Sequence, residues 1–124
     1  MTKLLIVGCG GFIGAVCRYA IGYAIESRST SDFPYGTLTV NVLGCLAIGF
    51  FVTFVQKRPY FSAETGLFLQ VGLLGAFTTF STFSHETLNL ITTNQWRAGL
   101  LSVLGNVVLG LGAVALGGMI GRRF

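Results

Sequence analysis

The chain has 124 residues, of which 52% are hydrophobic and only 10% are charged, and its formal net charge is +4. A soluble domain carries about 25% charged residues, so this composition excludes a water-soluble enzyme or binding domain. The basic residues lie between or beyond the apolar runs and form no stripe, which argues against a nucleic-acid-binding surface and indicates charges that flank membrane spans.

The first predicted helix covers about residues 4–24, since a membrane span needs about 20 mostly apolar residues. Only about five apolar residues precede Cys9, fewer than the roughly 7–15 of a secretory signal, so we expect a retained helix. Arg18 is the one charged residue inside it. Its side chain either snorkels to the membrane interface or supplies positive potential at an anion entrance.

The second predicted helix covers about residues 37–55 and ends at Lys57, Arg58 and Pro59, because proline is a poor continuation of a helix. Asn41 lies about one turn into this helix. Its amide donors suit either a pore, where they would replace water around an anion, or a hydrogen bond to another helix.

Small residues recur at four-residue spacing in two of the predicted helices, a pattern that allows close helix packing. They are Gly10 and Gly14 in the first helix, and Ala113, Gly117 and Gly121 in the fourth. Three cysteines also lie within apolar runs, without metal-site spacing, and we expect free, buried thiols. These are Cys9, Cys17 and Cys45.

The third predicted helix covers about residues 67–91, and its middle is unusual. Gly72 and Gly75 precede a stretch in which five of the seven residues from 78 to 84 carry hydroxyl groups. In hydrocarbon every freed backbone group needs a partner inside the protein, and hydroxyls after glycines can supply such partners. The pattern favours a break near residues 75–79, although an intact helix whose hydroxyls bond to the preceding turn stays open at this point.

A break would create sites for two kinds of ion inside the membrane. Carbonyls near Gly75 and Thr78 could turn inward and coordinate a cation, whereas a half-helix beginning near Thr79 would present its positive end to an anion. Phe80 and Phe83 lie three residues apart and share a helix face. Their ring edges carry partial positive charge that an anion can contact and leave, although such a pair is also ordinary packing.

A polar stripe continues along this helix, because Thr79, Thr82 and Glu86 share a face at offsets of three and seven residues. Glu86 either lines the mouth of a polar pathway, snorkels to the surface, or pairs with a basic residue of another helix. The fourth predicted helix covers about residues 98–120, and its two polar residues, Ser102 and Asn106, rank low as site candidates.

Three motifs together resemble the small bacterial fluoride channels of the Fluc or CrcB family. They are residues 10–18 (GGFIGAVCR), residues 36–41 (GTLTVN) and, most specifically, residues 75–84 (GAFTTFSTFS). The resemblance covers the whole chain in length and helix count. It implies a passive channel, not an enzyme, that exports fluoride across the bacterial cytoplasmic (inner) membrane and so relieves fluoride toxicity.

The same resemblance implies an antiparallel, dual-topology homodimer in the lipid bilayer, with two fluoride pores at the subunit interface. A central sodium ion would be held by the backbone carbonyls of Gly75 and Thr78 from both subunits. Phe80 and Phe83 would line each pore, with Asn41 as the pore amide. The polar track of the pore would include Ser81, Thr82 and Glu86, next to Thr79 of the polar stripe. Arg18 would be the basic position of the first helix.

The distribution of charge favours a single orientation. Five basic residues lie on one side of the predicted spans and two on the other, which would place both termini in the cytoplasm. The first group is Lys3, Lys57, Arg58, Arg122 and Arg123, and the second is Arg28 and Arg97. Dual insertion therefore comes only from the resemblance.

Two other functions remain as alternatives. A small proton-coupled multidrug exporter also has four helices, but it needs a titratable carboxylate deep in the bundle, and Glu86 is the only candidate for that role. A non-conducting membrane assembly would explain the glycines but not the pattern of hydroxyls and aromatic rings.

Overall fold

The computed structural model describes residues 1–56 and 58–124, and every regular element in those ranges is helical. Helix α1 is Thr2–Glu26, α2 is Tyr35–Gln56, α3 covers residues 63–77, α4 is Phe80–Thr92 and α5 is Trp96–Arg123. Helices α3 and α4 belong to one apolar stretch, Ala63–Thr92, so four stretches are long and apolar enough to cross a membrane. The predicted class, an all-helical membrane protein with four spans and an interrupted third span, is confirmed.

The observed helices are longer than the predicted ones, by one to four residues at each end. The prediction followed the apolar residues, whereas backbone hydrogen bonding continues into the polar flanks of each span. Pro34 supports the start of α2, since its carbonyl accepts from the Leu38 amide at 3.1 Å. Lys57, one of the three residues predicted to terminate this helix, lies outside the described residues.

Two stretches of the spans are wound more widely than an α-helix. Leu67–Leu74 within α3 and Gly105–Leu109 within α5 are π-helical. Such stretches are rare and frequently occur at functional sites. The first stretch directly precedes Gly75 and the second contains Asn106, and both residues are discussed with the candidate site below.

Close backbone contacts between the spans depend on glycine. Helix α1 packs chiefly against α3, and α2 against the second half of α5. A Cβ on Gly10 would lie 2.6 Å from the Phe68 carbonyl oxygen, and one on Gly14 would overlap the Leu73 carbonyl. A Cβ on Gly121 would likewise lie 2.6 Å from the Phe50 carbonyl oxygen. The close packing predicted from the four-residue spacing is therefore confirmed.

The turn between α4 and α5 has a recognisable chemical cause. Asn94 adopts a φ of 64°, the left-handed conformation that asparagine tolerates better than most residues. The Gln95 amide then donates to the Leu90 carbonyl at 2.8 Å, and the Asn94 amide to the Ile91 carbonyl at 3.2 Å. These two bonds form a Schellman motif, which ends α4 and directs the chain back as α5.

The loops and the C-terminus lie at two opposite faces of the bundle, as the predicted division of the basic residues into two groups requires. At one face of the bundle Arg58 Nη2 donates to the Phe124 carbonyl at 2.8 Å, which joins the end of α2 to the end of α5. At the opposite face Gln95 Nε2 donates to Asp32 Oδ2 at 3.0 Å, which joins the other two loops.

The prediction of buried thiols is wrong for two of the three cysteines. All three are free, but Cys9 and Cys17 are exposed on α1, and Cys45 is half-buried on α2. Lipid tails are as apolar as a protein core, so an apolar side chain in a span gains little by facing inward. Composition alone therefore did not show on which side of a helix these thiols lie.

Replacing Gly14 by leucine should prevent the close approach of α1 and α3, because the new side chain would overlap the Leu73 carbonyl. We expect loss of most of the monodisperse protein in size-exclusion chromatography after detergent extraction. The matched control is Gly8→Leu on the same helix, since no atom lies within 4 Å of a Cβ at Gly8. Equal yields from the two variants would contradict this account of the packing.

Candidate functional site

The third span is interrupted at two consecutive residues. Thr78 (φ −83°, ψ 157°) and Thr79 (φ −149°, ψ 116°) are both extended, between the end of α3 at Phe77 and the start of α4 at Phe80. The predicted break near residues 75–79 is confirmed, and an intact helix over residues 72–84 is excluded.

Asn41 of α2 supplies hydrogen bonds to the interrupted backbone. Its Oδ1 accepts from the Thr79 amide at 2.9 Å, and its Nδ2 donates to the Thr79 carbonyl at 3.2 Å. One side-chain amide thus satisfies both backbone groups of an extended residue. Of the two readings of Asn41, the interhelical hydrogen bond is observed, and the same side chain also lines a cavity described below.

The polar network continues into α5. Asn41 Nδ2 also donates to Asn106 Oδ1 at 2.8 Å, and Asn106 Nδ2 donates to the Ser102 carbonyl at 2.9 Å. The Ser102 hydroxyl is fully buried and lies 2.9 Å from that of Thr87 on α4. Asn106, which ranks low as a site candidate from the sequence, lies in the π-helical stretch of α5 and is joined to the break through Asn41.

Hydroxyl groups organise the start of α4. Thr79 is the N-cap: its Oγ1 accepts from the Thr82 amide at 3.2 Å and donates to Thr82 Oγ1 at 2.9 Å. Ser81 is exposed, and its hydroxyl lies 3.4 Å from that of Thr79. The half-helix therefore begins inside the span, as predicted, with the positive end of its dipole and a group of hydroxyls at the break.

Arg18 reaches the break from α1. Its Nε donates to the Ala76 carbonyl at 3.1 Å. In a continuous helix that carbonyl would accept from the amide of Phe80, which follows the break. Neither sequence-based reading of Arg18 included this bond, because it depends on a contact between residues 58 positions apart in the chain.

Arg18 also lines a cavity of about 240 Å³, which we call the Arg18 cavity. Glu86 lies on its wall: Oε1 accepts from Thr37 Oγ1 at 3.0 Å, while Oε2 is buried without a hydrogen-bond partner among the described residues. Glu86 thus lines a polar recess and is bonded to a threonine of α2. The full lining is Arg18, Tyr19, Gly22, Tyr23, Glu26, Gly36, Thr37, Val40, Thr79 and Glu86.

A second cavity, of about 220 Å³, is also lined by Thr79, and we call it the Phe cavity. The ring centroids of Phe80 and Phe83 are 5.6 Å apart with an edge-on tilt of 60°, so the two rings share a face as predicted. Phe83 is 9% exposed, whereas Phe80 is 79% exposed and projects from the chain. The full lining is Asn41, Cys45, Thr78, Thr79, Phe80, Phe83, Asn106 and Val107.

The carbonyls of Gly75 and Thr78 lose their usual helical donors at the break. The amide that would bond the Gly75 carbonyl belongs to Thr79, and it donates to Asn41. The amide that would bond the Thr78 carbonyl belongs to Thr82, and it donates to Thr79 Oγ1. Gly44 of α2 makes room for this geometry, because a Cβ there would overlap the Thr78 methyl group.

Comparison with known proteins gives consistent matches over nearly the whole chain. Residues 5–118 match the family model described as CrcB-like protein, Camphor Resistance (CrcB). The chain is 42% identical over 124 residues to a protein of Chloroflexus aurantiacus named fluoride-specific ion channel FluC, covering 100% of this chain and 98% of the relative. Proteins of the same name from Clostridium novyi (43%; 98% of each chain) and Oceanobacillus iheyensis (44%; 94% of this chain and 89% of the relative) are similarly close.

Replacing Asn41 by valine should destabilise the fold, because the Thr79 amide and carbonyl would lose their partner within the membrane. An unsatisfied buried backbone group costs about 1–3 kcal/mol, and we expect a loss of that order in the free energy of unfolding in detergent. The matched control is Asn89→Val, at an exposed asparagine of α4. Equal stability of the two variants would show that Asn41 does not support the break.

Proposed function

Since this chain belongs to the CrcB family, and its curated relatives are named fluoride-specific ion channels, we propose a mechanism by which it conducts fluoride. The protein is a multi-pass membrane protein of the bacterial membrane and a fluoride channel. Conduction is passive: the membrane potential acts on the ion with about 2.3 kcal/mol per elementary charge per 100 mV and drives export from the cytoplasm. Export relieves fluoride toxicity.

The observation that carries this proposal is the break at Thr78 and Thr79, which brings amides, hydroxyls and aromatic ring edges together inside a membrane span. Fluoride is small and strongly hydrated, so a pore must offer several replacements for water. Each contact must also be weak enough for the ion to leave. The hydroxyls at the start of α4 and the ring edges are neutral donors of this kind. Asn41, whose amide nitrogen donates to Thr79 and Asn106, contributes as the pore amide by fixing the position of these groups.

Within this mechanism the site residues act in sequence along each pore. The Arg18 cavity is one entrance, where Arg18 provides positive potential and Glu86 belongs to the polar lining. Ser81 and Thr82 continue the polar track past the N-cap Thr79. Phe80 and Phe83 then hold the ion by their ring edges in the Phe cavity.

The assembly we propose is an antiparallel homodimer. Phe80 lies in the middle of a span and is 79% exposed in a single chain, so a pore that uses its ring edge needs a further wall. A second copy supplies that wall. The third span is divided into residues 63–77 and Phe80–Thr92, so an inverted copy would bring its own break to the same depth.

A sodium ion at the centre of this dimer fits the chemistry of the break. Gly75 and Thr78 offer two carbonyl oxygens that have lost their helical donors, and neutral carbonyl oxygens are suitable ligands for a hard monovalent cation. Two oxygens from one chain do not enclose an ion. The same two carbonyls from an inverted copy would complete the ligand set, and the bound ion would hold the subunits together.

Fluoride efflux from liposomes that contain the purified protein, followed with a fluoride electrode, tests the function. Phe80→Ile should lower efflux to the level of protein-free liposomes, because an aliphatic side chain has no positive ring edge. The matched control is Phe12→Ile on α1, since Phe12 is similarly exposed at 73%. Equal efflux of chloride and fluoride through the wild-type protein would overturn the proposed selectivity for fluoride. Cation uptake driven by a proton gradient would contradict a passive channel and indicate a proton-coupled exporter.

The antiparallel assembly is tested by labelling a single cysteine with a membrane-impermeant maleimide. In a background in which Cys9, Cys17 and Cys45 are replaced by alanine, Ser29→Cys places a thiol in the loop between α1 and α2. We expect labelling of comparable fractions from the outside and the inside of bacterial membranes. Labelling from one side only would refute dual topology and would leave the proposal of fluoride conduction unaffected.

A further inference from the structure

We propose that Arg122, together with Thr53, forms the second mouth of the fluoride pathway, at the membrane face opposite the Arg18 cavity. This inference rests on the proposed function, and it assigns a role in conduction to the end of α5. The residues concerned lie outside the three sequence motifs and outside the break.

The geometry behind the proposal is a third cavity, of about 420 Å³, between α2 and α5. We call it the Arg122 cavity. The walls are formed by Ile48, Gly49 and Thr53 of α2 and by Val114, Gly118 and Arg122 of α5, among others. It therefore opens near the ends of both helices, at the face where Arg58 is bonded to the Phe124 carbonyl.

The Arg122 cavity follows the Phe cavity along the same two helices. On α2, Cys45 lines the Phe cavity and Gly49, one turn further on, lines the Arg122 cavity. On α5, Val107 lines the Phe cavity and Val114, two turns further on, lines the Arg122 cavity. The two helices are in contact at the junction, since a Cβ on Gly110 would lie 3.4 Å from Cys45 Sγ. On the proposed route, an ion that leaves the Phe cavity along α2 and α5 would reach Thr53 and Arg122.

A neighbouring cavity between the same helices gives a useful contrast. It measures about 290 Å³ and is lined only by apolar residues and glycine, including Leu46, Phe50 and Ile120. Such a surface suits lipid tails. The Arg122 cavity differs because it is also lined by the guanidinium group of Arg122 and by Thr53, whose hydroxyl donates to the Gly49 carbonyl at 2.8 Å.

Electrostatics explains why an arginine is needed at this end. Both α2 and α5 end at this face, and a helix C-terminus carries roughly half a negative charge. Two such ends would repel fluoride from the mouth. Arg122 lies in the last turn of α5 and lines the cavity itself, so its charge offsets that repulsion where the ion passes.

The test compares Arg122→Gln with Arg123→Gln in the liposome efflux assay. Both remove one positive charge from the last turn of α5, but only Arg122 lines the cavity. At an ionic strength of about 10 mM, where the Debye length is about 30 Å, we expect Arg122→Gln to lower efflux by roughly tenfold. Arg123→Gln should lower efflux by less than about twofold, and the deficit of Arg122→Gln should shrink near 1 M salt, where the Debye length is about 3 Å.

Two further variants separate the role of the charge from a role in folding. Arg122→Lys keeps the charge and should retain most of the efflux at both ionic strengths. Thr53→Glu leaves Arg122 in place but adds a negative charge to the same cavity, and it should lower efflux most strongly at low salt. This variant gives the decisive measurement should Arg122→Gln fail to assemble.

The outcomes also separate this inference from the function on which it rests. Wild-type liposomes that fail to conduct fluoride would overturn the proposed function itself. Wild-type efflux with equal, salt-independent effects of Arg122→Gln and Arg123→Gln would overturn only the second mouth. An undiminished efflux in Thr53→Glu would do the same.

Discussion

The structure depends on one constraint: a backbone polar group inside the bilayer must find a partner within the protein. The break at Thr78 and Thr79 frees several such groups in the middle of the third span. Arg18 of α1 pairs with the Ala76 carbonyl, and Asn41 of α2 pairs with the amide and the carbonyl of Thr79. Asn41 is itself held by Asn106 of α5. The interruption that creates the site therefore also joins the four spans into one unit.

This arrangement fixes the site before any ion arrives. Asn41 makes three hydrogen bonds, of 2.8 to 3.2 Å, to groups that would each be costly to leave unpaired in hydrocarbon. Its position is therefore set by the fold. Thr79 is similarly held by its bonds to Asn41 and Thr82. Held in place by Asn41 and Thr79, the hydroxyls and ring edges around them form a preorganised set of neutral groups, which suits a passive channel because the ion meets the same weak contacts whether it enters or leaves.

The sequence predicted the parts of this site that depend on local chemistry. Glycines before a dense run of hydroxyls indicated the break, and the three-residue offset indicated that Phe80 and Phe83 share a face. It did not predict the bond from Arg18 to the Ala76 carbonyl or the bond from Asn41 to Asn106, because these partners meet only after the helices pack. The expected burial of Cys9 and Cys17 was wrong because lipid and protein interior are equally apolar to a thiol.

The position of the break makes the proposed two-way insertion compatible with the uneven charges. Five basic residues against two favour one orientation, yet each such charge adds a modest bias rather than an absolute barrier. What a functional antiparallel pair needs is a site at the same depth in both orientations. Residues 63–77 and the 13 residues of Phe80–Thr92 place the break near the centre of the third span. A basic residue lines a cavity on each side of it, Arg18 in one direction and Arg122 in the other. In the proposed mechanism such a chain would offer an anion pathway of similar character to both faces of the membrane, and inversion would leave the route for the ion in place.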